Sequence, residues 1–206
     1  VSARNTERAG NGKYRQCIQC GANDGRVVIP HTKHHRQYWA GMQIGKTQRQ
    51  RKGQGKINMN KNVSKIYIAS DHRGVGLKLY LIEMLAADGF PVVNMGTDDP
   101  NAPVDFPDVA ATVADAMESD KKSRGILICG TGAGIMIAAN RYRHIRASRC
   151  ERPEQARDDR FHDDINVLAL AADDIDIEMA FVVTQTFLES PFDDCERRVR
   201  RIQKIS

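Results

Sequence analysis

Between residues 63 and 206, short apolar runs alternate with segments of helical periodicity. That alternation restricts the fold more than any other feature of the chain. KIYIAS (65–70), FPVVNMG (90–96), RGILICG (124–130), IRASRC (145–150) and NVLAL (166–170) read as strands. None alternates strictly between apolar and polar residues, as expected when both faces of a sheet are covered. In the intervening VGLKLYLIEMLAADG, residues Leu77, Leu79, Leu81, Ile82 and Leu85 recur at roughly helical spacing, and Gly89 is placed to end the helix. VDFPDVAATVADAMESD has Pro107 at a helix start and spaces Val109, Val113 and Met117 by four. AGIMIAANRY, RPEQARDDRFH and DIEMAFVVTQTFLES read as further helices, with a last one after Pro191. The pattern predicts a doubly wound, Rossmann-like three-layer α/β sandwich with a mainly parallel sheet of five strands.

In such folds ligands bind beyond the carboxyl ends of the strands. That directs attention to Asp71 and His72, the loop 96–106, Cys129 to Gly134, and the segment from His162 to Asn166. His144 reads as an ordinary surface residue and Cys150 as core.

Residues 1–62 are different material. They carry 13 Lys and Arg against 2 Asp and Glu, whereas the remainder carries 18 against 24. The basic pI is therefore a property of the arm and not a nucleic-acid footprint of the whole chain. KTQRQRKGQGKINMNKN (46–62) has the composition of a flexible segment. Within the arm, Cys17 and Cys20 form C-x2-C, and His31 and His35 form H-x3-H with His34 spare; these types and spacings suit tetrahedral zinc. The alternative is a basic extension with incidental Cys and His. The chain thus divides at 62/63 into an extension and one α/β domain, 63–206. Five scattered cysteines, an odd number, favour a reducing, cytoplasmic setting. No apolar run reaches the ~18 residues of a membrane span, and the N-terminus lacks a signal-peptide stretch.

The chemistry concentrates in ICGTGAG. Glycines 130, 132 and 134 permit positive φ and close approach of a ligand to backbone. Amides of the turn and the helix start point at an anion or a developing oxyanion. Cys129 stands at the mouth, where a positive helix end favours the thiolate, a base or nucleophile. A buried structural cysteine is the competing reading. Asp71 is suited to sugar hydroxyls or to capping the next helix. His72 can donate to a phosphate or oxyanion, and His162 can move protons near neutral pH or stand as a solvated loop residue.

IASDHRG, VDFPDVA, GILICGTGAGIMIAANR, IRA and HDDINVLAL occur in an order and spacing that resembles the ribose-5-phosphate isomerase B family, which includes galactose-6-phosphate isomerase subunits. The likeness covers about residues 63–203, and the cysteine in the turn resembles the ribose-5-phosphate branch. It implies aldose–ketose isomerisation through a cis-enediolate, with no cofactor and no metal. Cys129 is the implied base between C2 and C1, Thr131 supports its thiolate, and the amides of Gly130, Gly132 and Gly134 hold the enediolate oxygen. His162 opens the furanose ring, Asp71 binds hydroxyls, and His72 approaches the phosphate. Asn140, Asp163 and Arg198 complete the implied substrate contacts. The family arrangement is a homodimer, or a tetramer, with each site shared between two subunits, so that Cys129 and His162 come from different chains.

Departures from the family pattern cluster at the anion-binding positions. His162-Asp163 replaces His-Asn; Asp173 and Asp194 stand at Arg places and Cys195 at a His place; Arg198 remains, with Arg197, Arg200 and Arg201 nearby. At an effective dielectric of 20, an Asp ~4 Å from a phosphate charge costs about 4 kcal/mol. The expectation is a sugar-phosphate isomerase of the ribose 5-phosphate type. An unphosphorylated or differently phosphorylated sugar is the alternative, and nearby arginines or the basic arm are candidate replacements for the lost charge. A reading of another class is a retired isomerase scaffold whose arm binds nucleic acid; the intact Cys129, Asp71 and His162 argue against it, and neither nucleic acid nor membrane is an expected partner.

Overall fold

The computed structural model describes residues 63–205; the candidate zinc ligands and the rest of the basic arm lie outside the described residues. Five strands form one sheet: β1 (Ile66–Ser70), β2 (Val92–Gly96), β3 (Arg124–Cys129), β4 (Ala147–Arg149) and β5 (Val167–Ala171). Their order is β2-β1-β3-β5-β4 and every pairing is parallel, where the sequence predicted only a mainly parallel sheet. Parallel neighbours require crossovers, and six helices supply them and close the chain. These are α1 (Val75–Ala87), α2 (Phe106–Met117), α3 (Ala133–Ala139), α4 (Pro153–Asp163), α5 (Ile177–Glu189) and α6 (Glu196–Gln203). The third helix stops three residues before the predicted Tyr142. Asn140 ends it and turns its side chain to the next strand, with Nδ2 on Ala147 O and Oδ1 under Ala147 N, both at 2.8 Å.

Two cores sandwich the sheet. On one face, Ile66, Ile68, Ile126, Ile128, Leu168 and Leu170 meet α1, α4 and α5; Cys150 is buried there. On the other, Ala69, Leu127, Cys129, Val167 and Ala169 meet α2 and α3. The period of two along each strand sends alternate residues to opposite cores, which explains why the runs are continuously apolar. It also places Cys129 on the α2/α3 side.

A buried cation holds the loop 96–106. Lys78 on α1 is fully buried, and its Nζ donates to Met95 O at 2.9 Å and Thr97 O at 2.7 Å and pairs with Asp98 at 2.7 Å. Desolvation pulls its pKa down, and the Asp98 carboxylate pulls it back up. Among the described residues no helix is long and apolar enough to cross a membrane.

Burial, reinforced by the nearby Asp159 carboxylate, pushes the Cys150 thiol up to about 12 from an ordinary 9.0. Its folded-state pKa is raised, so its contribution to stability is complete below pH 9 and is lost as pH rises towards 12. In urea titrations, wild type is expected to lose about 1 kcal/mol per pH unit more than Cys150→Ala between pH 9 and 11. Parallel pH profiles for the two proteins would show the thiol is not so held.

Candidate active site

The carboxyl ends of β1, β3 and β5 are stitched together by backbone. Asp71 N donates to Ile128 O at 3.1 Å, Ala172 N to Cys129 O at 2.9 Å, and Asp173 N to Gly130 O at 3.0 Å. The turn after β3 then doubles back. Gly132 takes φ 71°, a left-handed conformation costly for other residues, and its N–H donates to Cys129 Sγ at 3.2 Å. Cys129 is 4% exposed. The sulfur thus receives a donor from the Gly132 amide, while Thr131 is exposed beside it.

Asp71 is buried, and the capping reading of it is the one the geometry shows. Its Oδ1 accepts from Arg73 N at 2.9 Å and Gly74 N at 3.1 Å, capping a single 3-10 turn, His72–Gly74, that leads into α1. Nδ1 of His72 is buried with no hydrogen-bond partner among the described residues. Across the turn, the Phe106 ring lies against Gly134. Phe106, Pro107, Ile137, Ala138, Arg141 and Tyr142 line an open, apolar cleft of about 440 Å³ that adjoins the Cys129 turn at Gly134.

The second half of the candidate set is elsewhere. His162 and Asp163 close α4 and precede β5, so they lie at the amino edge of the sheet. Grouping the segment 162–166 with the carboxyl-end residues is therefore corrected: the helix after β4 runs back along the sheet before the chain enters β5. In the β3–β5 register Gly125 faces Val167 and Cys129 faces Ala171. Four strand steps of ~3.3 Å set the two edges roughly 13 Å apart along the strands. Asn140 sits at the amino edge too, bound to Ala147 where β4 begins. Arg198 comes from α6, pairs with Asp193 and stacks over Phe161, 4.7 Å from its ring centroid; Phe161 in turn meets the His162 ring edge-on at 5.2 Å. Asp163 and Asp194 are exposed. His144, read as a surface residue, is half-buried, with Nε2 at 2.9 Å from Ala114 O.

Below His162 lies a charged cluster that sequence reasoning did not identify. Asp164, at φ 48°, accepts from Arg146 at 2.6 Å and from Arg160 at 2.5 Å. Burial, with Arg160 and Arg146 close by, pulls the Arg124 guanidinium down to about 10. Asp164 is thus the carboxylate that the arginines around the entry to β5 share.

The acidic residues after β5 are not bare. Asp173 pairs with Arg73, and Asp174 pairs with Arg149 at 3.1 Å; Arg149 also meets Glu151 at 2.5 Å. The negative patch expected at Asp173 is therefore answered across the mouth of the turn. Arg73 was visible in SDHRG, directly after His72, and Asp173-Asp174 as an acidic pair; only the fold brings them together.

The model of the family described as ribose/galactose isomerase matches residues 66–205. The probable ribose-5-phosphate isomerase B of Mycoplasma pneumoniae is 37% identical over 140 residues, covering 68% of this chain and 91% of that protein. The ribose 5-phosphate isomerase structure from Thermotoga maritima is 45% identical with a TM-score of 0.66, covering 68% of this chain and 96% of that one. That of ribose-5-phosphate isomerase B from Mycoplasma genitalium, with bound ribulose 5-phosphate, is 39% identical with a TM-score of 0.65, covering 69% and 95%. The relatives that this all-parallel five-stranded α/β chain matches are isomerases. The chain belongs to the ribose/galactose isomerase family.

Asp164→Asn keeps a residue that tolerates positive φ but removes the shared charge. It is expected to cost about 3 kcal/mol in urea denaturation, because buried Arg160 is left without its partner. A loss under 0.5 kcal/mol would mean the cluster is screened by water.

Proposed function

We propose that this protein is an aldose–ketose isomerase of sugar phosphates, of the ribose 5-phosphate/ribulose 5-phosphate type. The observation that carries this is Cys129: a buried thiol receiving a backbone amide in a turn closed by the ends of β1 and β5. The ribulose 5-phosphate in the related Mycoplasma genitalium structure supports the substrate class.

Cys129 as thiolate removes the proton from C2 of the open-chain aldose. The C–H electron pair becomes the C1=C2 bond and the carbonyl pair moves to O1, giving a cis-enediolate. The proton of the C2 hydroxyl passes to O1, the thiol returns its proton to C1, and the C2 carbonyl forms. Atoms and electrons balance with no external redox partner. The amides of Gly130, Gly132 and Gly134 are assigned to the enediolate oxygen, and Thr131 to support of the thiolate. Asp71 spends Oδ1 on the turn, which leaves Oδ2 for a substrate hydroxyl. His72, with its unpartnered Nδ1, is assigned to the substrate's far end.

Ring opening requires an acid–base group, and His162 is the assigned one. Because strand polarity separates it from Cys129, the reading requires a second copy to present His162, Asp163 and Arg198 to the first copy's turn. The apolar cleft at Gly134, with Phe106 38% and Ile137 62% exposed, supports this: it is a surface suited to a homodimer beside the chemistry. Asn140, tied to Ala147, is assigned to holding that edge. The Arg73–Asp173 pair favours a phosphorylated substrate over an unphosphorylated one, since Asp173 no longer confronts the anion alone.

Cys129→Ala is expected to lower kcat about 10³-fold. It is also expected to abolish deuterium incorporation at C1 and C2 of sugar phosphates in heavy water. Unchanged isomerisation or exchange in this variant would remove Cys129 from the mechanism.

A further inference from the structure

Within the reading of the Cys129 turn as a sugar-phosphate site, we infer that Arg73 is a specificity-determining residue that binds the substrate phosphate, and that Asp173 is a carboxylate competing with the anion for it. The guanidinium of Arg73 lies flat on Gly130. A Cβ built on that glycine would come within 2.7 Å of both Cζ and Nε and 2.9 Å of Nη1. Gly130 is therefore the seat of the arginine as well as part of the turn. The opposite edge of the fork is tied down: Nη2 pairs with Asp173, whose backbone N–H in turn donates to Gly130 O at 3.0 Å.

This leaves one edge of the fork in use and the other free. The side chain is 54% exposed, and among the described residues its side-chain hydrogen bonding is to Asp173 alone. Nε and Nη1, the atoms over Gly130, retain their N–H donors. Each two-donor edge of a guanidinium, Nε–Nη2 or Nη1–Nη2, includes Nη2. Asp173 takes one of the two Nη2 N–H groups, so the edge formed by the other stays open to two oxygens of a phosphate, a match that a point charge such as Lys does not make. The backbone start of Arg73 is equally fixed, because Asp71 Oδ1 accepts its N–H. His72, with Nδ1 buried and unpartnered, is its neighbour. On the other flank the Arg149 stem lies along Gly132, but its Nη2 is engaged by two carboxylates, Glu151 and Asp174. Of the two cations flanking the turn, Arg73 has the more exposed side chain, 54% against 30%, and answers one carboxylate where Arg149 answers two.

The test is phosphate binding by titration calorimetry with inorganic phosphate, alongside steady-state kinetics with ribose 5-phosphate, on the full chain. Arg73→Gln is expected to weaken phosphate at least tenfold and raise KM by a similar factor, with kcat within threefold. Arg73→Lys is expected to recover only part of the loss. Asp173→Asn removes a competing carboxylate, so phosphate binding is expected to be unchanged or tighter. If Arg73→Gln and Asp173→Asn weaken phosphate equally, the pair is structural and the inference fails. It fails as well if Arg73→Gln leaves phosphate binding within twofold, if it lowers kcat with KM unchanged, or if wild type binds no phosphate. A wild type that binds phosphate through Arg73 but does not isomerise ribose 5-phosphate would overturn the proposed substrate and leave the assignment of Arg73 standing.

Discussion

Strand polarity governs this molecule. In an all-parallel sheet every carboxyl end faces one way, so the residues after β1, β3 and β5 must share an edge. Asp71, His72 and the Cys129 turn meet there because β1 and β5 flank β3. The same rule sends the residue before β5 to the other edge. His162 cannot join Cys129 within one copy of the fold, however the side chains turn. On the proposed mechanism the sandwich carries one part of the site at each end, and two copies are the simplest way of uniting them.

Each half is rigidified by different means. At the carboxyl edge backbone does the work: strand-end amides bind carbonyls across three strands, and a left-handed glycine returns an N–H to the sulfur. Among the described residues His72 Nδ1 there is left without a partner. At the amino edge the support is ionic, with Asp164 shared by Arg146 and Arg160 beneath the end of α4. Buried ion pairs seldom add net stability, but losing one partner is costly, so such a cluster fixes the direction in which the helix end points. Lys78 acts similarly, its buried ammonium holding two carbonyls and a carboxylate of the 96–106 loop.

Much of this was legible in the sequence. Apolar runs covered on both faces gave the strands, and Gly89, at φ 87°, ends α1 as expected. The turn around Cys129 was readable because chemistry and local geometry coincide in seven consecutive residues. Charge pairing was not readable. Asp173 looked like a bare repulsive group because its partner, Arg73, is 100 residues away and meets it only through β1–β3–β5 adjacency. The place of His162 was misjudged for a related reason: proximity to a strand says nothing of which end until the direction of the preceding helix is fixed. Asp71 shows a third case, since capping uses only one oxygen of its carboxylate and so does not exclude the proposed contact through the other.

The division of the site between two copies is tested most directly by complementation. Cys129→Ala and His162→Ala, each expected to be at least about a hundredfold less active than wild type, are tagged differently, co-refolded, and the mixed species confirmed by tandem purification. Random pairing gives mixed dimers with one intact site, so the mixture is predicted to regain about a quarter of wild-type activity, and the purified mixed dimer about half. Mixed dimers as inactive as either parent would contradict the shared site and require Cys129 and His162 to act within one chain.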